Sequence, residues 1–114
     1  MVRRGSPSRR SVRLADIIQR ELAQLLQEEI QDPRLELVTI SGVRLNADLS
    51  IAKVFYTCTD DPVRLEEIAL ALNKAKGYLR TLLGKRLNLR STPELRFERD
   101  IFLEDMVYDS RHES

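Results

Sequence analysis

The apolar residues of this chain change period three times, and those changes dictate what it can fold into. Leu14, Ile17, Ile18, Leu22, Leu25, Leu26 and Ile30 recur at i, i+3, i+4 and i+7, the spacing of one helix face. Over residues 38–58 the period drops to two, which is the signature of strands. Helical spacing returns at Leu65, Ile68, Ala69 and Leu72, and alternation returns at Leu95 and Phe97. A helix stripe or a sheet face must be buried against something else. The economical solution is an α+β sandwich, with helices covering one face of a three-stranded sheet in the order αββααβ. A right-handed crossover is expected between the second and third strands. At 114 residues the chain makes one domain.

Local signals set the expected boundaries. Residues 1–10 hold Arg, Ser, Gly and Pro with little to bury, so a flexible basic arm is expected there. Ser11 reads as the first helix cap, and Asp32-Pro33 as its stop, because proline disfavours a helical residue before it. Val38 and Ile40 share one face of the first strand, whereas Val43 and Leu45 have the opposite parity. An extra residue is needed between them, and Ser41-Gly42 is the expected bulge. Residues 46–49 make the hairpin turn. The second strand sets Ala52, Val54, Tyr56 and Cys58 against Ile51, Lys53, Phe55 and Thr57. Asp61 caps the next helix, with Pro62 at its first position. The domain is expected to run over 11–103, followed by an acidic tail, 104–114.

The second helical segment contains a conflict. With Leu65, Ile68, Ala69 and Leu72 as its stripe, a straight helix places Lys76 near the stripe axis and turns Leu82 away. A kink at Ala75-Lys76-Gly77 would resolve this. It would bury Leu79, Leu82 and Leu83 and free Lys76, and glycine already costs a helix interior about 1 kcal/mol. A helix restarting at Gly77 would also offer unbonded backbone N–H groups, which favour phosphate.

Charge is segregated along the chain. The net charge is +1, yet residues 1–13 carry +5 and residues 72–99 carry +6, against −4 over 14–36, −2 over 37–71 and −4 over 100–114. Two basic blocks in a near-neutral chain point to a polyanion, nucleic acid above all. Lys74, Lys76, Arg80, Lys85, Arg86 and Arg90 cluster about the expected kink, and Arg96 can extend their face from the third strand. Arg3, Arg4, Arg9 and Arg10 can add a second contact from the arm. The competing reading is a protein-interaction module whose acidic first helix docks a basic partner.

Catalysis finds little support. His112 stands in the last three residues, Cys58 alternates with core positions, and Asp48, Asp60 and Asp61 flank turns, where Asp bonds its own backbone. No cluster has metal-ligand spacing and no Gly-rich phosphate loop occurs, so neither enzyme activity, metal nor cofactor is expected. One cysteine fits a reducing cytosol. No apolar run reaches the roughly 18 residues of a membrane span.

Four stretches in order carry a resemblance: "IQRELAQLLQEEIQDPRLELVTISGVRLNADLSIAKVFYT", "ALNKAKGYLR", "LGKRLNLRSTPELRF" and the acidic run after them. Over residues 11–105 the chain resembles the bacterial ribosome-binding factor A family. That resemblance implies a single type II KH-like domain in which Ala75-Lys76-Gly77 replaces the usual GxxG loop. It implies a cytoplasmic, monomeric RNA-binding factor that binds the immature small ribosomal subunit and its ribosomal RNA. Such a factor aids ribosome biogenesis and late rRNA processing, including at low temperature. Ribosomal proteins or a release GTPase are the further partners it suggests.

Overall fold

The structure, a computed structural model, describes residues 8–58 and 61–101. Arg3, Arg4, Asp60, His112 and the 104–114 tail lie outside the described residues. Helix α1 spans Arg9–Glu28. Its cap is Ser8, not Ser11. The Ser8 hydroxyl accepts the Ser11 N–H at 3.1 Å, and the buried Ser11 hydroxyl donates back to the Ser8 carbonyl at 2.9 Å. Arg9 and Arg10, expected in the arm, therefore stand in the first helical turn. Two serines three residues apart offer equivalent caps, and only packing decides between them. Ala15, Ile18, Leu22, Leu25 and Leu26 form the buried stripe.

The helix ends before Asp32-Pro33, which instead open a 3₁₀ turn, Pro33–Leu35. Asp32 caps that turn through the Arg34 N–H at 3.0 Å, and Leu35 plugs the core. Strands β1 (Thr39–Leu45) and β2 (Ile51–Thr57) form the expected antiparallel hairpin. Ile40 pairs with Tyr56 and Gly42 with Phe55, so Ser41 is the extra residue and the bulge stands where the parity shift demands it. In the connecting turn the Asn46 side chain accepts the Ile51 N–H at 2.8 Å, and Leu49 takes a left-handed φ of 62°.

Helix α2 (Pro62–Leu87) crosses back to β3 (Glu94–Arg99), which lies parallel to β2. The strand order is β1-β2-β3, so β2 is central. Both helices lie on one face, α1 over β1 and α2 over β3, and they touch each other. Ile18, Leu22, Leu25, Val54, Leu72, Leu79, Leu83 and Leu95 fill the space between the layers. Beyond β3 the Asp100 N–H donates to the Tyr56 carbonyl at 2.7 Å, and its carboxylate accepts the Ser41 hydroxyl at 2.8 Å. That bond ties the end of β3 across β2 to the β1 bulge.

The architecture is the expected α+β sandwich with one correction. The observed order is αββαβ, because the two segments expected on either side of Ala75-Lys76-Gly77 are one 26-residue helix.

Candidate nucleic-acid interface

The continuity of α2 follows from a stripe that sequence reasoning placed too far round. The run Ile68-Ala69-Leu70-Ala71-Leu72 is apolar throughout, so it does not declare which alanine faces inward. In the structure Ala71 is buried and Ala69 is exposed. With Ile68 at zero and about 100° per residue, Ala71, Leu72, Leu79 and Leu83 all fall within about 60° of it. Lys76 then lies about 80° away, on the flank of the stripe, and no break is needed to free it. Gly77 falls about 180° from Ile68, and it is exposed. Its amide is helix-interior, so the phosphate site expected at a restarted helix terminus is not formed. The Thr81 hydroxyl donates to the Gly77 carbonyl at 3.1 Å.

The cations expected to act together are held in distinct places. Lys74 and Lys85 project about 100–120° to one side of the stripe, and Lys76 and Arg80 about 80–120° to the other. All but half-buried Lys76 are exposed. Between the two banks runs the outer crest of α2. At Gly77 that crest has no side chain, and a Cβ built there would meet nothing within 4 Å. A bare backbone position flanked by cations lets a polyanion approach closely.

Lys76 borders a groove of about 590 Å³ between α2 and β3, lined also by Asn73, Tyr56, Leu95 and Phe97. Arg80 spends its Nε and Nη2 on the Thr92 carbonyl, at 3.1 and 2.8 Å. It therefore fixes the loop 88–93, which carries the exposed Arg90. The same loop presses on α2 from a second point, because a Cβ at Gly84 would collide with the Thr92 side chain. Asn88, in left-handed conformation at φ 50°, turns the chain into that loop, its N–H bonded to the Gly84 carbonyl.

Two expected members of the basic face are engaged elsewhere. Arg86 bridges the helices, with Glu21 at 3.2 Å and Glu28 at 3.1 Å. These bonds raise the Arg86 pKa, Glu28 contributing most. The Glu28 carboxyl is held below its usual range, first by the Gln24 side-chain amide and then by Arg86. Arg96 alternates with buried Leu95 and is in register with Lys53, so it belongs to the face of the sheet opposite the helices. It pairs with the Glu94 carboxylate, at 3.4 Å. Arg9 and Arg10 are exposed at the start of α1.

On the other side of α2, Lys74 approaches the 3₁₀ turn. The Asp32 carboxyl there is lowered mainly by the Arg34 side chain and backbone N–H, with a smaller pull from Lys74. Sequence reasoning passed over Arg44 and Lys53. Alternation alone places both on the open face of the sheet, but only the strand register brings them together with Arg96.

Among the described residues no group of His, Cys, Asp and Glu is placed to hold a metal ion. Among them, too, no helix is long and apolar enough to cross a membrane. What the surface offers is spaced positive charge on a rigid helix and on a loop clamped to it. Such a surface has the chemistry that charge-assisted bonds to a phosphate backbone require.

Comparison with known proteins points the same way. The family model described as Ribosome-binding factor A matches residues 10–110. The chain is 54% identical over 93 residues to the ribosome-binding factor A of Pseudomonas paraeruginosa, covering 80% of this chain and 73% of that one. It is similar to the crystal structure of ribosome-binding factor A from Thermus thermophilus, with a TM-score of 0.70 and 31% identity, covering 78% of this chain and 94% of that one. A homology model of a Thermus thermophilus ribosome binding factor A, fitted into the cryo-EM map of a 30S complex with that factor, matches with a TM-score of 0.66 and 32% identity, covering 77% of this chain and 92% of that one. A family match over most of the chain, high identity and a shared fold leave one assignment: this chain belongs to the ribosome-binding factor A family.

Proposed function

We propose that this chain is an assembly factor that binds the immature small ribosomal subunit through its ribosomal RNA and aids late maturation, including processing of the RNA ends. The observation that carries the reading is the relative fitted into the map of a 30S complex, whose fold this chain shares at 32% identity. The cations of α2 supply the chemistry. Lys74, Lys76 and Lys85 lie around the bare crest at Gly77, and Arg90 stands on the loop that Arg80 holds. Arg80 and Arg86 act mainly as positioning residues, and Arg3, Arg4, Arg9 and Arg10 add an accessory contact. The protein works in the cytoplasm as a monomer without a cofactor, and its role extends to growth in the cold. Ribosomal proteins or a release GTPase are its further partners.

The helix's own charge weighs against the rival, docking through an acidic first helix. Over Arg9–Glu28 the chain carries four arginines and three carboxylates, and Glu21 and Glu28 already bind Arg86. Co-sedimentation with immature and with mature small subunits tests the proposal. Binding that prefers the immature particle, weakens with salt and survives Asp16→Lys with Glu29→Lys supports it. Binding that ignores salt and is lost in that α1 variant replaces it with the protein-docking reading.

A further inference from the structure

The face of the sheet that the helices leave uncovered carries an unusual row. Ala52, Val54 and Tyr56 of β2 are buried beneath the helices, so Ile51, Lys53 and Phe55 point the other way. The register aligns Lys53 with Arg44 of β1 on one side and with Arg96 of β3 on the other. Three cations thus stand abreast on three adjacent strands. Side chains directly opposite lie only about 4.5–5.5 Å apart at Cβ, and like charges so placed destabilise a sheet. Such a row calls for compensating acids.

The compensating acids are unevenly placed. Glu98 lies 3.9 Å from Lys53 and Glu94 lies 3.4 Å from Arg96, and both belong to β3. Among the described residues, the β1–β2 half of the face keeps Arg44 and Lys53 without a carboxylate between them. In the next row Phe55 sits opposite Gly42. The open space above Gly42, where a Cβ would meet nothing within 4 Å, leaves the β1 side of the ring accessible. Glu98 flanks the ring on the β3 side, so it is on the β1 side that cations and a half-exposed ring together suit a single strand of RNA, whose bases stack on aromatics while its phosphates meet the charges. A paired duplex would keep its bases out of reach. An acidic peptide would use the cations and leave the ring idle.

We propose that Arg44, Lys53 and Phe55 form a second RNA-binding surface on the open face of the sheet, which takes a single-stranded segment with one base stacked on Phe55. The inference rests on the RNA-binding reading above, but it assigns a separate surface, on the other side of the molecule from α2.

The chain contains no tryptophan, so a Phe55→Trp variant carries one fluorophore at the proposed stacking position. Titration with a 12-nucleotide oligouridylate should quench its emission saturably. Arg44→Gln with Lys53→Gln in the same background should weaken the apparent affinity about tenfold, as expected when two phosphate contacts go. Polyglutamate should bind weakly and leave the emission unchanged. Absence of quenching, equal quenching by polyglutamate, or quenching indifferent to the Arg44/Lys53 substitutions overturns the proposal. The same variants are then sedimented with immature small subunits. Retained binding there, with no quenching, condemns the open-face site and leaves the assembly-factor reading standing.

Discussion

Two glycines of α2 should answer the same substitution with opposite signs. Alanine is favoured over glycine in a helix interior by up to about 1 kcal/mol, because glycine loses more backbone freedom on folding. At Gly77 the added methyl meets nothing within 4 Å, so Gly77→Ala should collect most of that gain, about 0.5–1 kcal/mol. At Gly84 the same methyl would overlap the Thr92 side chain, whose carbonyl is held in place by Arg80. Relief requires Thr92 to leave its rotamer or the clamped loop to move, and overpacking of this kind costs about 1–3 kcal/mol. The net effect of Gly84→Ala is then a loss of up to about 2 kcal/mol after the propensity gain is subtracted. Removing the obstacle should reverse the sign: in a Thr92→Ala background, Gly84→Ala should stabilise by about 0.5–1 kcal/mol. Urea unfolding followed by helix circular dichroism gives all four values, each kcal/mol also moving the thermal midpoint by about 4 °C or more. Destabilisation by Gly77→Ala would refute this, since α2 would then need glycine at the position first expected to kink. So would a Gly84→Ala change that is as harmless with Thr92 as without it.

The core and the polar clamps make further predictions. Leu83 is fully buried between α2 and the sheet, so Leu83→Ala should cost about 2–5 kcal/mol in the same unfolding assay. Glu28 has a depressed carboxyl pKa, caused first by Gln24 and then by Arg86; its stabilising effect is present above the unfolded carboxylate pKa and lost as pH falls through the lower folded value. Arg86→Met should therefore flatten the acid-side fall of stability with pH, and an unchanged pH profile would show that the bridge to Glu21 and Glu28 contributes nothing. Arg80→Met should loosen the loop 88–93, seen as faster amide exchange at Leu89 and Arg90, while the α2 core around Leu72 and Leu79 keeps its protection.

Much of this fold was legible in the sequence, and the reasons are local. The period-two runs identified the hairpin, and the parity shift between Ile40 and Val43 placed its bulge, because one residue of slip moves every later side chain to the other face. The order of strands was not legible. It depends on where α2 lands, which no short-range pattern encodes. The expected break into two helical segments failed at a specific point, the choice of Ala69 over Ala71 in an unbroken apolar run, and that choice rotated the whole stripe toward Lys76. The basic cluster was visible as a block of charge, but its division was not. Arg86 faces Glu21 and Glu28, residues more than fifty positions away in sequence, and Arg96 changes face because strands alternate. Arg80 read as a phosphate ligand, since nothing in the sequence announces a carbonyl acceptor twelve residues on.

The salt dependence of binding to immature small subunits tests the central claim most directly, with the native chain compared against Lys74→Glu, Lys76→Glu and Lys85→Glu combined. These side chains make no ion pair among the described residues, so the variant should fold and unfold much as the native chain does. If the α2 cations hold ribosomal RNA, each phosphate contact releases counterions, and losing three should lower the slope of log affinity against log salt by about 2–3 while binding weakens. An unchanged slope and affinity in a folded variant would contradict the account, because the cations of α2 would then face solvent and not RNA.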